Sequence, residues 1–139
     1  MKIKSILILT MAFVLFSCQE DDDIKNTNET ELEININNLK GSWLAIEATE
    51  NPGDGIGEFQ DLNDSEEFTY KFKEDLSVSD TFLDCDGTYI LTETTRILDL
   101  NFQCIEEEIK WEIVSLQEKR MILSSEVSEE SLSVKFNKQ

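Results

Sequence analysis

The chain has 139 residues, with 40% hydrophobic and 30% charged side chains, an ordinary balance that excludes collagen, coiled coil and wholesale disorder. Acidic residues number 30 against 12 basic ones, for a net charge of −18, so no basic stripe exists to neutralise phosphates and nucleic acid is excluded as a partner. Histidine is absent, which removes Ser-His-Asp and Cys-His catalysis and histidine-ligated zinc.

In chain order, Lys2 and Lys4 precede an apolar run from Ile6 to Phe16. That length suits a signal-peptide core and is too short to span a bilayer. The run ends in Leu15-Phe16-Ser17-Cys18, which resembles the lipobox of bacterial lipoproteins. The resemblance implies that residues 1–17 are a signal peptide, that cleavage follows Ser17, and that Cys18 is lipidated. Several acyl chains anchor a protein firmly where one holds only marginally. Removing the signal peptide takes two lysines with it, so −18 becomes −20.

Next comes Gln19-Glu20-Asp21-Asp22-Asp23, similar to the acidic export signal that carries lipoproteins of Bacteroidetes-type bacteria to the cell surface. The expected location is the outer membrane, lipid-anchored, with the cell surface as the first reading and the periplasmic face as the alternative. Residues 18–38 are rich in Asp, Glu, Asn and Thr with scattered isoleucines, too little apolar surface to offset ordering entropy. They are expected to form a flexible acidic tether, with one helical turn near Ile34 to Leu39.

From there the domain spans 39–139, about 100 residues and room for one core. Its period is two. Phe68, Tyr70 and Phe72 alternate with Thr69, Lys71 and Lys73, as Ile109, Trp111 and Ile113 do with Lys110 and Glu112. Strands are expected over 42–48, 67–73, 76–81, 87–93, 96–103, 108–116, 120–125 and 131–137, joined by short polar turns. Eight such strands predict an all-β, antiparallel barrel or sandwich.

Cys85 and Cys104 bear on that reading. A hairpin closing on Thr94-Thr95, through a two-residue or four-residue loop, places Tyr89 opposite Leu100 and Cys85 opposite Cys104. One face then carries Gly87, Tyr89, Leu91, Leu98, Leu100 and Phe102, and the other is mostly polar. Opposed Cα atoms lie within disulfide range, and beyond the inner membrane the bridge is chemically permitted.

Leu39-Lys40-Gly41-Ser42-Trp43 resembles the Gly-x-Trp opening of lipocalins, and the segments that follow, such as Asp86-Gly87-Thr88-Tyr89, are similar to those of small lipocalin-like domains of bacterial lipoproteins. The resemblance implies an up-and-down barrel whose open end can hold a small apolar ligand. Where the family pattern has Gly, this chain has Leu76, which leaves the type of that turn open.

Trp43, Phe68, Tyr70, Tyr89, Phe102 and Trp111 are the candidate pocket lining. Such bulk favours a filled interior, so any pocket should be shallow and near the mouth. The loop from Asn51 to Glu66 holds Gly53, Gly55 and Gly57 and could cover that mouth. Asp54, Glu58, Asp61 and Asp64 do not follow the calcium-loop spacing, so no metal or cofactor is expected. No nucleophile pairs with a base, which argues against an enzyme. Two readings follow: a membrane-anchored, non-catalytic lipocalin-like binding module for a small apolar or amphipathic ligand, or an acidic module that binds an envelope protein or inhibits a cationic enzyme.

Overall fold

The computed structural model describes residues 29–51, 58–127 and 130–139; the signal peptide, Cys18, the acidic run and the three loop glycines lie outside the described residues. A helical turn, α1 (Ile36–Leu39), precedes nine strands: β1 (Gly41–Asn51), β2 (Gln60–Asp61), β3 (Thr69–Phe72), β4 (Ser77–Asp80), β5 (Cys85–Thr92), β6 (Ile97–Phe102), β7 (Ile109–Leu116), β8 (Arg120–Val127) and β9 (Glu130–Lys138). Every pairing is antiparallel. Strand β1 meets both β3 and β9, so eight strands close into a barrel and β2 is a two-residue addition to β1. Closure removes the exposed edges that invite pairing with other chains. All eight expected strands are present; β2 was not expected.

The β5–β6 hairpin has the expected register. Gly87 faces Phe102, Tyr89 faces Leu100, and Thr92 faces Ile97, leaving a four-residue turn from Glu93 to Arg96. Gly87, Tyr89, Leu98, Leu100 and Phe102 are buried, while Thr88, Ile90 and Asn101 are exposed. Gly87 is small for a reason. A Cβ there would collide with the Asn101 carbonyl and lie 2.9 Å from the Phe102 Cα, and backbone cannot rotate aside as a side chain can. Gly87→Ala is therefore expected to cost about 1–3 kcal/mol by overpacking, read as an earlier urea midpoint with an unchanged slope. A cost below ~0.5 kcal/mol would refute the contact.

Two bulges reset the alternation. In β1 the register shifts between Ala45 and Glu47, so that Ala48 meets the buried Val134. In β7 it shifts between Ile113 and Ser115, which lets both Ile113 and Leu116 face the core three residues apart. At the β3–β4 turn Leu76 adopts φ 64, the left-handed region where glycine is at ease. The Asp75 carboxylate braces this turn, accepting from the Ser77 backbone N–H at 3.0 Å and its hydroxyl at 2.6 Å.

One end of the barrel is covered by the chain's own upstream segment. Leu32 donates its N–H to the Leu116 carbonyl at 2.8 Å, and the Glu31 carboxylate accepts from the Leu116 N–H at 3.0 Å and the Ser115 hydroxyl at 2.8 Å. Asn35 caps α1, accepting from the Asn38 N–H at 3.0 Å. Leu39 is fully buried, and Leu32 and Ile34 pack half-buried against the core it belongs to. The flexible tether was expected to run to residue 38. Residues 29–38 instead lie on the barrel, because its end offers their few apolar side chains a surface that composition alone does not reveal.

Candidate functional site

The opposite end is the mouth, where the described parts of the β1–β3, β4–β5 and β6–β7 connections lie at the same end as the close of β8 and the start of β9. Alternation along β4 buries Val78 and Asp80 together, and Asp80 stands between Tyr70 of β3 and Cys85 of β5. Its Oδ1 accepts from the backbone N–H groups of Phe82 at 2.7 Å and Leu83 at 3.3 Å. Such an Asx turn shapes the tight reversal into β5. Phe82 is left projecting over the mouth, 69% exposed, while Asp80 below it is only 5% exposed.

Phe68, Tyr70, Asp80, Phe82, Leu83 and Ile109 line a shallow hollow of about 170 Å³. Beneath it the interior is packed. Tyr70 contacts the rings of Phe68 at 5.1 Å, Phe136 at 5.7 Å, Phe72 at 5.9 Å and Phe102 at 6.2 Å between centroids. The expectation of an aromatic-filled interior with any pocket at the rim describes this arrangement. A wider groove of about 600 Å³ lies beside β2, lined by Thr49, Glu50, Gln60, Asp61 and Glu66 among others. Its walls are mostly polar.

Of the six aromatic residues expected to line a pocket, Phe68 and Tyr70 line the hollow. The other four are corrected to core. Trp43 is fully buried near the closed end, donating its indole N–H to the Leu39 carbonyl at 2.7 Å, with the Lys138 ammonium 4.9 Å from its ring. Tyr89 donates its hydroxyl to the Lys73 carbonyl at 2.9 Å. Phe102 stacks behind Tyr70 with the ring centroids 6.2 Å apart, and Trp111 is buried in the same core. They fill the barrel because strand alternation points all inward residues at one axis, and only the last layer can border solvent. Cys85 and Cys104 are disulfide-bonded, with Cα atoms 6.2 Å apart, tying β5 to the β6–β7 connection at the mouth.

Asp80, Phe82, Leu83 and Ile109 were not among the expected site residues. For Asp80 a signal existed: it stands two residues from Val78 in a strand and so shares its face. Burial pushes the Asp80 carboxyl above its ordinary value, partly offset by the Phe82 and Leu83 N–H groups. It also raises the Tyr70 phenol, to which the Asp80 charge adds. A carboxyl raised on folding favours the folded state fully below its unfolded pKa, and that contribution is lost as pH rises through the folded value. Asp80→Asn keeps an oxygen for the two N–H groups and carries no charge. It is expected to be more stable than the wild type at pH 7, by a margin that shrinks as the pH falls below the ordinary carboxylate range. Urea melts at pH 7 and pH 3.5 check this, and a variant less stable at pH 7 would contradict it.

Among the described residues no group of three or more His, Cys, Asp or Glu side chains is placed to hold a metal ion. What the hollow offers is apolar contact, three aromatic rings and one carboxylate.

In three dimensions the chain is similar to a lipocalin-like protein from Bacteroides uniformis, with a TM-score of 0.53 over 73% of this chain and 99% of that one. The fold is lipocalin-like. At 14% identity the likeness carries the architecture of the lipocalin-like barrel and nothing of its chemistry. No family model matches the chain, and no curated protein does.

Proposed function

We propose that this lipocalin-like chain is a lipid-anchored, non-catalytic binding module of the bacterial cell envelope that takes an apolar or amphipathic group at the barrel mouth. The observation that carries the reading is the pairing of a packed interior with a hollow whose rim residue, Phe82, stands largely in water. An aromatic side chain held out by a braced turn has no packing role to explain it and is a ready contact for a partner. The hollow is smaller than the roughly 300–1,000 Å³ of small-molecule sites, so it suits one apolar group of a larger ligand. Anchoring rests on the sequence: the apolar run, Ser17 and Cys18 stand in register, and the acidic residues after them favour display at the outer surface.

Binding is tested with N-phenyl-1-naphthylamine, a neutral apolar fluorophore. Its emission should rise on adding the protein and fall by about tenfold in apparent affinity with Phe82→Ser. Equal enhancement by both proteins would refute the mouth as the site. Anchoring is tested by fractionation: Cys18→Ser should move the protein from the membrane pellet to the soluble fraction. Retention in the pellet would overturn the lipid anchor.

A further inference from the structure

Charge is divided unevenly between the two ends of the barrel. The described mouth connections, 58–68, 81–84 and 103–108, contain nine acidic residues and no lysine or arginine, and all nine acids are exposed. At the closed end each turn mixes signs, with Lys73 beside Glu74, Arg96 near Glu93, and Lys119 beside Glu118. The acids also border the hollow in sequence: Glu67 precedes Phe68, Asp84 follows Leu83, and Glu108 precedes Ile109. Three connections that meet only in the folded barrel thus set Glu67, Asp84 and Glu108 next to the walls of one apolar hollow, while Glu58, Asp61 and Glu66 line the groove beside β2.

We infer that the mouth docks a basic, amphipathic segment of a partner protein, with one lysine side chain seated in the hollow. This rests on the binding reading above and names its occupant. The methylene stem of a lysine matches the apolar walls of Phe68, Tyr70 and Phe82, whose ring faces also attract an ammonium. Asp80 lies in the wall of the same hollow, and among the described residues no lysine or arginine pairs with it. Lysine is chosen over arginine by hydrogen-bond geometry. Oδ1 of Asp80 already accepts two backbone N–H groups, so a guanidinium cannot take both oxygens as it prefers, while an ammonium needs only one. A protein segment is chosen over a small molecule because the hollow admits one side chain, whereas the acids span three connections. Acids so placed steer a cationic partner and set its orientation, as complementary interface charge does.

The test uses fluorescein-labelled twelve-residue peptides of alternating lysine and leucine, with arginine–leucine and acetyl-lysine–leucine versions, read by anisotropy against the folded, disulfide-bonded protein. The lysine peptide should bind, with acetylation abolishing the signal and arginine weakening it. Asp80→Asn and Phe82→Ser should each weaken binding about tenfold, while Glu74→Gln with Glu118→Gln at the closed end should change it by less than about twofold. The stability melts of Asp80→Asn separate lost binding from lost fold. Equal weakening by the closed-end pair, or none by Asp80→Asn, would mean diffuse attraction and overturn the site. Equal binding of the arginine peptide would overturn the lysine assignment. If the neutral fluorophore still depends on Phe82 while the lysine peptide fails, this inference falls and the mouth reading stands; if both fail, both fall.

Discussion

Trp43→Ala should lower unfolding stability by about 3–5 kcal/mol, the range for removing a large aromatic side chain from a core. Trp43 is fully buried at the start of β1, among the largest of the wholly enclosed side chains. Its indole N–H also holds the Leu39 carbonyl at 2.7 Å, so the loss extends beyond a cavity. With that bond gone, α1 loses its tie to β1, while Glu31 and Leu32 keep theirs to Ser115 and Leu116. Trp43→Phe separates the two effects, since it keeps most of the volume and loses the hydrogen bond, at about 1 kcal/mol for the bond itself. Urea unfolding followed by the fluorescence of Trp111, the one other tryptophan, gives both values. A loss under ~2 kcal/mol for the alanine variant would show that the closed end does not depend on this residue.

Joint replacement, Cys85→Ser with Cys104→Ser, should cost about 3 kcal/mol, because the bridge closes a loop whose ends are 19 residues apart. The stabilisation arises in the unfolded chain, which is denied the conformations that separate the two ends. It should therefore vanish equally when the wild-type protein is reduced, and the serine variant should not respond to reductant at all. The affected region is the mouth, where the bridge joins the start of β5 to the connection that carries Glu106 to Glu108. Unfolding curves with and without a phosphine reductant measure both quantities. A wild-type midpoint indifferent to reductant would sink the prediction.

Much of the barrel is legible in the residues themselves. Phe68, Tyr70 and Phe72 announce β3 by alternation, and the apolar residues around Thr94-Thr95 permit one register, since a slip by one position would turn Tyr89 and Leu100 into solvent. That register brings the two cysteines together. Residues 29–38 are harder to read, because Leu32 and Ile34 are sparse in a polar segment and, with Leu39 after them, find apolar partners only against a barrel end built from distant strands. The bulges in β1 and β7 are equally silent: each answers the curvature of a closed sheet, which no single strand carries.

The site divides along the same line. Phe68 and Tyr70 are recognisable as inward residues of a strand, but their place at the rim, with Trp43 and Tyr89 deep in the core, depends on how eight strands stagger on closure. Asp80 and Phe82 become a site only where the β4–β5 turn meets the other connections at the mouth. The eight barrel strands, the hairpin register and the disulfide partner were determined by the sequence alone, since each follows from a period of two and from residues close along the chain. Which aromatic residues are core, which end is covered, and where a carboxylate meets an apolar hollow were decided by the tertiary structure, because burial depends on what lies opposite, and those neighbours come from strands far apart in the chain.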